Sequence, residues 1–213
     1  MMADAFDPGC RRCLRLSAYL DEVKADYPGY HAAPVPPFGD PQARLLILGL
    51  APGLHGANAS GRPFTGDFAG IILYQTLFQY GFASAPESLS TNDGLQLLDC
   101  RISNAVKCLP PQNKPLTLEV VTCNRFLRSE LAQLPPSALV ISLGRIAHDA
   151  VLRALGCKLA DYRFGHNQLH RPNPQLRLLD SYHCSRYNTQ TGRLTPAMFG
   201  AVFQRARKLL AEE

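Results

Sequence analysis

The sequence predicts an α/β fold: a three-layer α/β/α arrangement around a central, mostly parallel, four-stranded sheet. Three observations predict it. Short apolar runs of strand length alternate with longer segments of helical spacing along the 213 residues, the order that crossover connections require. The first apolar run leads into a glycine-dense loop, and the crevice beyond strand ends is where open α/β sheets bind ligands. Hydrophobic residues make up 46% of the chain, enough for one good core, so a single domain over residues 1–213 is expected. The proline-rich stretches 33–41 and 109–115 are too short to divide two domains.

The elements follow in order. Residues 11–25 read as a helix. Residues 44–50, with Leu45-Leu46-Ile47-Leu48 bounded by turn residues, read as a buried strand, and 71–80 as a helix packed on it. A second strand covers 101–107. Residues 117–134 form a helix with Thr117 as cap and Leu118, Val121, Leu127, Leu131 and Leu134 as its apolar positions. A strand at 137–144 precedes a helix at 145–155. Residues 176–182 are the last core strand, and 196–211 a C-terminal helix capped by Thr195.

The loop after the first strand, residues 49–67, holds five glycines and two prolines, a backbone suited to tight turns and close approach to a ligand. It also sets Arg62, Phe64 and Asp67 within six positions. It matches neither Gly-x-Gly-x-x-Gly nor a phosphate loop, and no lysine lies between Lys24 and Lys107, which speaks against a nucleoside triphosphate site. The glycine pattern alone leaves a structural turn and a ligand loop equally open.

The seven cysteines supply a second signal. Cys10 and Cys13 form a C-x-x-C pair, and the loop 109–115 can bring Cys108 back towards Cys123. Four thiolates suit a tetrahedral zinc or a [4Fe–4S] cluster, and spacing alone does not choose. Cys100 and Cys157 read as buried small hydrophobes. No apolar signal region and no membrane-length run is present, so a cytoplasmic protein without membrane association is expected, where C-x-x-C means metal or redox chemistry more often than a disulfide. The formal charge of +5 permits a nucleic-acid partner without requiring one.

The third constellation, residues 182–195, follows the last strand. It offers His183 at a strand end, then Arg186, Asn188, Arg193 and several hydroxyl groups before a helix, a mix suited to gripping a phosphate backbone.

These pieces together resemble the family-5, or B-type, uracil-DNA glycosylases. The matching segments are Gly-Leu-Ala-Pro-Gly with Gly-Arg-Pro-Phe-Thr-Gly-Asp (49–67), Asn-Ala-Val-Lys-Cys-x-Pro-Pro (104–111), His183 through Thr195, and the spacing of the four cysteines. The resemblance implies a [4Fe–4S] cluster on Cys10, Cys13, Cys108 and Cys123. It also implies a monomeric DNA-repair enzyme that flips uracil out of single- or double-stranded DNA and hydrolyses its glycosidic bond, with no motif lysine acting as a Schiff-base former. Phe64 would stack on the flipped base, Asn104 read its edge, and His183 donate to its O2, as a neutral or a charged imidazole. Gly53, Arg186 and Asn188 would contact substrate. Asp67 would orient water or stabilise the sugar cation, against the simpler role of helix cap. Leu50 and Ala51 stand where many relatives of the superfamily carry a water-activating polar residue, and Ala59 where the family leads one to expect arginine. Cys184 is not expected among the cluster ligands. A cluster-bearing DNA-binding or redox-sensing protein with an idle pocket is the alternative.

Overall fold

The computed structural model describes residues 5–212. The chain runs through α1 (Leu14–Asp26), the two-residue strand β1 (Phe38–Gly39), β2 (Leu45–Gly49), a single turn α2 (Ala57–Ser60), α3 (Phe68–Gln79) and β3 (Cys100–Asn104). It continues with α4 (Thr117–Gln133), β4 (Ala138–Leu143), α5 (Arg145–Ala154), β5 (Leu169–Asn173), β6 (Leu176–Ser181), α6 (Arg186–Gln190) and α7 (Pro196–Ala211). All six strands join one sheet in the order β1-β3-β2-β4-β6-β5. The four inner strands are parallel, and β1 and β5 close the two edges antiparallel. Among the described residues, no helix is long and apolar enough to cross a membrane.

Alternation along β2 produces the three layers. Leu45 and Ile47 face Leu73 and Leu77 of α3 and Phe199 and Phe203 of α7. Leu46 and Leu48 face Leu16 of α1, Phe126 and Leu127 of α4 and Val151 of α5. Successive side chains of a strand leave by opposite faces, so a strand buried on both sides reads as an unbroken apolar run. That is why β2 (Leu-Leu-Ile-Leu-Gly) and most of β4 (Ala-Leu-Val-Ile-Ser-Leu) are legible in the sequence. The last inner strand, β6, is carried by Leu176, Leu178 and Leu179 and broken by the buried Arg177 and Asp180.

The expected four-stranded sheet is the parallel core of a six-stranded one. The edge strands escape a periodicity reading for physical reasons. β1 has two residues, and β5 (Leu-His-Arg-Pro-Asn) has no fully buried residue and carries its inward-facing side chain as a histidine, which breaks the apolar signal. The expected face of α4 needs correction as well. Leu118 and Val121 are exposed, whereas Val120, Cys123, Phe126, Leu127 and Leu131 are buried. Thr117 is the first helical residue and not the cap; the cap is Leu116, whose N–H donates to Glu119 Oε2 at 2.7 Å. Glu119 is held in turn by Arg15 at 2.7 Å, so a charged pair between α1 and α4 takes the place of a hydroxyl cap. Asp67 caps α3, which begins at Phe68, three residues earlier than the apolar spacing suggests. Of the two cysteines expected to be buried, Cys100 is, while Cys157 remains partly exposed beside Pro172 O.

Register gathers the strand ends. Gly49 pairs with Asn104, Leu48 with Ser142, and Leu143 with Ser181, so the loops leaving β2, β3, β4 and β6 share one edge of the sheet. The glycine loop is pinned there by Arg62, a buried residue whose guanidinium reaches Asp93 at 2.9 and 3.0 Å and lies 4.6 Å over the Phe38 ring. Burial pushes the Asp93 carboxyl up, but the N–H groups of Leu95, Ser90 and Leu89 and the Arg62 guanidinium together hold it down at about 2.

Removing one partner of a buried ion pair leaves the other uncompensated, so Asp93→Ala should lower the unfolding free energy by about 3 kcal/mol or more, read by denaturant melts. The Asp93 contribution is full above the ordinary carboxylate value of 3.8 and is lost as pH falls towards about 2. Wild-type stability should therefore drop over that acid window by more than that of Asp93→Ala, and equal acid sensitivity in the two proteins would refute the pairing.

Candidate active site

The gathered strand ends open into a cleft of about 700 Å³. Its lining includes Gly53, Phe64, Asp67, Asn104, His183, Arg186 and Asn188, every non-cysteine residue that the sequence nominates for the site. Three segments far apart in the chain thus meet because four parallel strands end together.

Phe64 is bound by close packing. A Cβ at Gly49 would lie 2.7 Å from the Phe64 ring and would collide with the Asn104 amide oxygen, so only glycine admits both side chains over the end of β2. Phe64 itself adopts φ +57°, the left-handed region that side-chain-bearing residues enter at a cost of about 1–2 kcal/mol. The conformation is imposed from both sides. Tyr74 donates to Pro63 O at 2.8 Å, and Ser60 Oγ donates to Thr65 O at 3.2 Å. The ring is 5% exposed and belongs to the core while also facing the cleft. Core residue and pocket wall are therefore compatible descriptions of Phe64. The His183 ring stacks near it, with centroids 6.1 Å apart and planes 28° apart.

Asn104, at the end of β3, is 3% exposed, and its Oδ1 has no hydrogen-bond partner. A buried amide oxygen without a donor costs free energy, which marks a place where a ligand donor fits. His183 is oriented through its backbone: Asn188 Nδ2 donates to His183 O at 2.8 Å. Neither His183 ring nitrogen has a hydrogen-bond partner among the described residues. Burial lowers its pKa to about 4, so the imidazole is neutral at pH 7. The side-chain amide of Asn188 is thus committed to holding His183, although the residue does line the cleft.

Asp67 is a genuine helix cap: Oδ1 accepts the Gly70 N–H at 2.9 Å. Its other oxygen turns towards the Gly53–Gly56 turn, where a Cβ at Gly56 would lie 2.7 Å from Oδ2. Burial raises the carboxyl above its ordinary value, against the N–H groups of Gly70 and Ala69, which pull it down. At the mouth, the Arg186 guanidinium lies 5.0 Å over Phe68 and that of Arg193 4.8 Å over Tyr182. Arg145 is exposed at the start of α5. Phe164, Tyr182 and Arg145 line the cleft without having been nominated from the sequence; the segment carrying Phe164 shows no periodicity that would have singled it out.

A second, small pocket is lined by Cys10, Cys13, Cys108 and Cys123 with Lys107, Pro34 and Phe126. All four thiols are free, and Cys184 lies apart from them with its thiol towards Ala69 O. The Lys107 N–H points at Cys123 Sγ at 3.3 Å. Burial, aided by the neighbouring thiols, pushes Cys108 up to about 12. Burial likewise pushes Cys123 up to about 11, against the pull of Lys107. Sulfur atoms so placed become thiolates only if a strongly positive centre joins them, so the donor set fits a thiolate-bound metal group. Among the described residues, no three of these sulfur atoms lie within 4.8 Å of one another. Lys107, the lysine of the second motif, is 1% exposed and bonds Glu130 Oε1 at 2.5 Å and the Ser103 hydroxyl. It is therefore absent from the cleft lining.

The sequence model of the uracil DNA glycosylase superfamily matches residues 36–207. The chain is 48% identical over 206 residues to the type-5 uracil-DNA glycosylase of Thermus thermophilus, covering 94% of this chain and 93% of that protein. It is 41% identical over 201 residues to the type-5 enzyme of Pyrobaculum aerophilum, covering 92% and 87%. A type-4 uracil-DNA glycosylase of the same organism is 31% identical over 158 residues, 72% of each chain. The matched region runs from before Gly49 to beyond α6 and takes in the residues that line the cleft, and the chain belongs to the uracil DNA glycosylase superfamily.

Proposed function

We propose that this protein is a monofunctional, monomeric uracil-DNA glycosylase that flips uracil out of DNA and hydrolyses the bond between base and deoxyribose. The observation that carries the reading is the orphaned Asn104 Oδ1 beside the Phe64 ring, with the neutral His183 across the same cleft.

A base inside a duplex is unreachable, so it must leave the stack at a cost of about a few kcal/mol. Stacking on Phe64 returns part of that, and the base N3–H supplies the donor that Asn104 Oδ1 lacks. As the glycosidic bond breaks, its electron pair stays with the base, and the anion spreads over O2 and O4. A neutral imidazole N–H of His183 donating to O2 stabilises that charge without giving up its proton. The sugar becomes cationic and faces the Asp67 carboxylate. Water attacks C1′ and passes its proton to that carboxylate. Lys107, paired with Glu130, stays out of the chemistry, which leaves the strand uncut. Arg145, Arg186 and Arg193 ring the mouth where a phosphate backbone would pass, and guanidinium forks suit it.

We further infer that Cys10, Cys13, Cys108 and Cys123 hold a [4Fe–4S] cluster. The four thiols that line one pocket support a thiolate-bound metal group there, and the resemblance to the family favours the cluster over zinc. Bound there, the cluster supplies a structural cross-link among the entry to α1, the exit of β3 and α4. The setting is a bacterial- or archaeal-type cytoplasm with DNA as the partner.

Single-turnover cleavage of a uracil-containing duplex tests the reading, because a DNA-binding or redox-sensing protein with an idle pocket would release no uracil. His183→Ala should slow cleavage by about 10²-fold or more with duplex affinity nearly unchanged, and Asn104→Ala should harm uracil more than purine lesions. Normal cleavage in both variants would put the site elsewhere.

Asp67→Asn preserves a capping oxygen, so thermal stability should hold while the rate drops about 10²-fold or more. The wild-type rate should fall on acidification as the Asp67 carboxylate, whose pKa lies above 3.8, takes up a proton. That limb should vanish in Asp67→Asn, leaving only the His183 transition at about 4. Wild-type rates in the variant would reduce Asp67 to a cap.

Purified protein should be brown and carry about four irons per chain. Serine at position 10, 13, 108 or 123 should lose the iron, whereas Cys100→Ala and Cys157→Ala should keep it. Stoichiometric zinc without iron after anaerobic purification would overturn the cluster.

A further inference from the structure

Behind the cleft lies a buried polar cluster that the proposed chemistry does not use. Asp180 on β6 is fully buried, as is His148 on α5, and His170 on β5 is 8% exposed. Asp180 Oδ1 accepts from Ser142 Oγ at 2.7 Å and faces His148 Nδ1 at 2.8 Å. Asp180 Oδ2 faces His170 Nε2 at 2.9 Å and accepts the Gly165 N–H at 3.2 Å. His148 Nε2 lies 3.0 Å from Tyr162 O.

The geometry assigns protons. A carbonyl only accepts, so His148 Nε2 carries hydrogen. The carboxylate, which already receives the Ser142 hydroxyl and the Gly165 N–H, accepts at Nδ1 too. An imidazole with acceptors on both nitrogens is an imidazolium. The groups that face it from each packed element agree: Asp180 and Ser142 from the sheet, Asp149 one position away on α5, His170 from β5, and the Tyr162 carbonyl and Phe164 ring from the following loop. Burial opposes the charge, but the Asp180 hydrogen bond and its negative charge raise the His148 pKa above 6.5.

Two of these bonds, His148 to Tyr162 O and the Gly165 N–H to Asp180, end on residues 162–168, the irregular loop between α5 and β5. Asp180 O accepts the Asn167 N–H at 2.7 Å, and Arg205 of α7 donates to Asn167 O at 2.5 Å. His166 stacks on Tyr182 at 5.0 Å and accepts its N–H at 3.2 Å. At the centre of this tethered loop Phe164 faces the cleft, its ring 5.6 Å from that of His148 and 6.1 Å from that of Tyr182.

We propose that residues 162–168 form the specificity wall of the base pocket, with Phe164 limiting which flipped base is accepted and the His148 imidazolium, through Asp180 and His170, as the positioning group that fixes it. The proposal rests on the glycosylase reading above. It separates a residue that touches the base, Phe164, from residues that act only through it.

The test compares single-turnover rates of the iron-loaded enzyme on duplexes carrying uracil or hypoxanthine, a deaminated purine of larger outline. Phe164→Ala should shift the hypoxanthine-to-uracil ratio by at least tenfold. His148→Gln should shift the ratio the same way by a smaller factor, and Phe164→Leu, which keeps apolar bulk, should restore most of the wild-type ratio. In the wild type the ratio should drift towards that of His148→Gln as pH rises through the raised His148 pKa, whereas the variant stays flat. Nitrogen-15 NMR of the wild-type holoenzyme should show both His148 ring nitrogens protonated at pH 7, a readout independent of turnover and of whether His148→Gln folds. A neutral His148 would overturn the positioning role, and an unchanged ratio in Phe164→Ala would overturn the wall, while uracil release persisted in both cases. Absence of uracil release by the wild type would instead bring down the glycosylase reading, and this proposal with it.

Discussion

The contact on which the cleft depends is the seating of the Phe64 ring and the Asn104 amide over Gly49. Glycine at the last position of β2 leaves room for both, and the parallel register that sets Gly49 beside Asn104 brings them there. Phe64 occupies the left-handed region, which a phenylalanine does not hold unaided. Its neighbours hold it: Tyr74 on Pro63 O, Ser60 on Thr65 O, and the buried Arg62–Asp93 pair that pins the loop to the connection before β3. Strain of this kind persists where surrounding structure over-determines the conformation, and here it fixes the floor of the cleft.

Around that floor, burial sets charge. His183 is desolvated with no acid nearby to favour its cation, so it is neutral. Asp67 is desolvated too, but helix N–H groups moderate the effect. His148 is buried too, yet both its nitrogens meet acceptors, and its pKa is raised above the ordinary value instead. Two histidines with one intrinsic pKa are thus shifted in opposite directions, His183 by desolvation and His148 by its hydrogen-bond partners against desolvation. A neutral donor at a forming anion and a fixed cation behind the wall are different tools, and the sequence spells both with the same letter.

Much of the fold was legible. β2 and most of β4 are apolar runs because both faces are covered, β6 keeps Leu176, Leu178 and Leu179 around its buried Arg177 and Asp180, and the helices between them follow from their spacing. The edge strands β1 and β5 were not, since one is two residues long and the other has no apolar residue fully buried. The face of α4 was misassigned because burial there is decided by what docks on it, α5 and the cysteine pocket, and not by its own apolar residues; Leu118 and Val121 are simply exposed. The cap of α4 was missed because it is made by Glu119 reaching back, stabilised by Arg15 from another helix.

By itself the sequence determined which residues could matter: the glycine loop with Phe64 and Asp67, Asn104 at a strand end, His183 with its arginines, and four cysteines in metal-like spacing. These are local patterns, and backbone chemistry constrains them within a few positions. Only the tertiary structure decided what each one faces. It committed Asn188 to His183 O, turned Lys107 to Glu130, set one Asp67 oxygen on the α3 N-terminus, left Asn104 Oδ1 without a donor and brought Phe164 to the cleft. Protonation states and pocket walls are sums over neighbours from distant parts of the chain, and those neighbours exist only once the sheet has assembled.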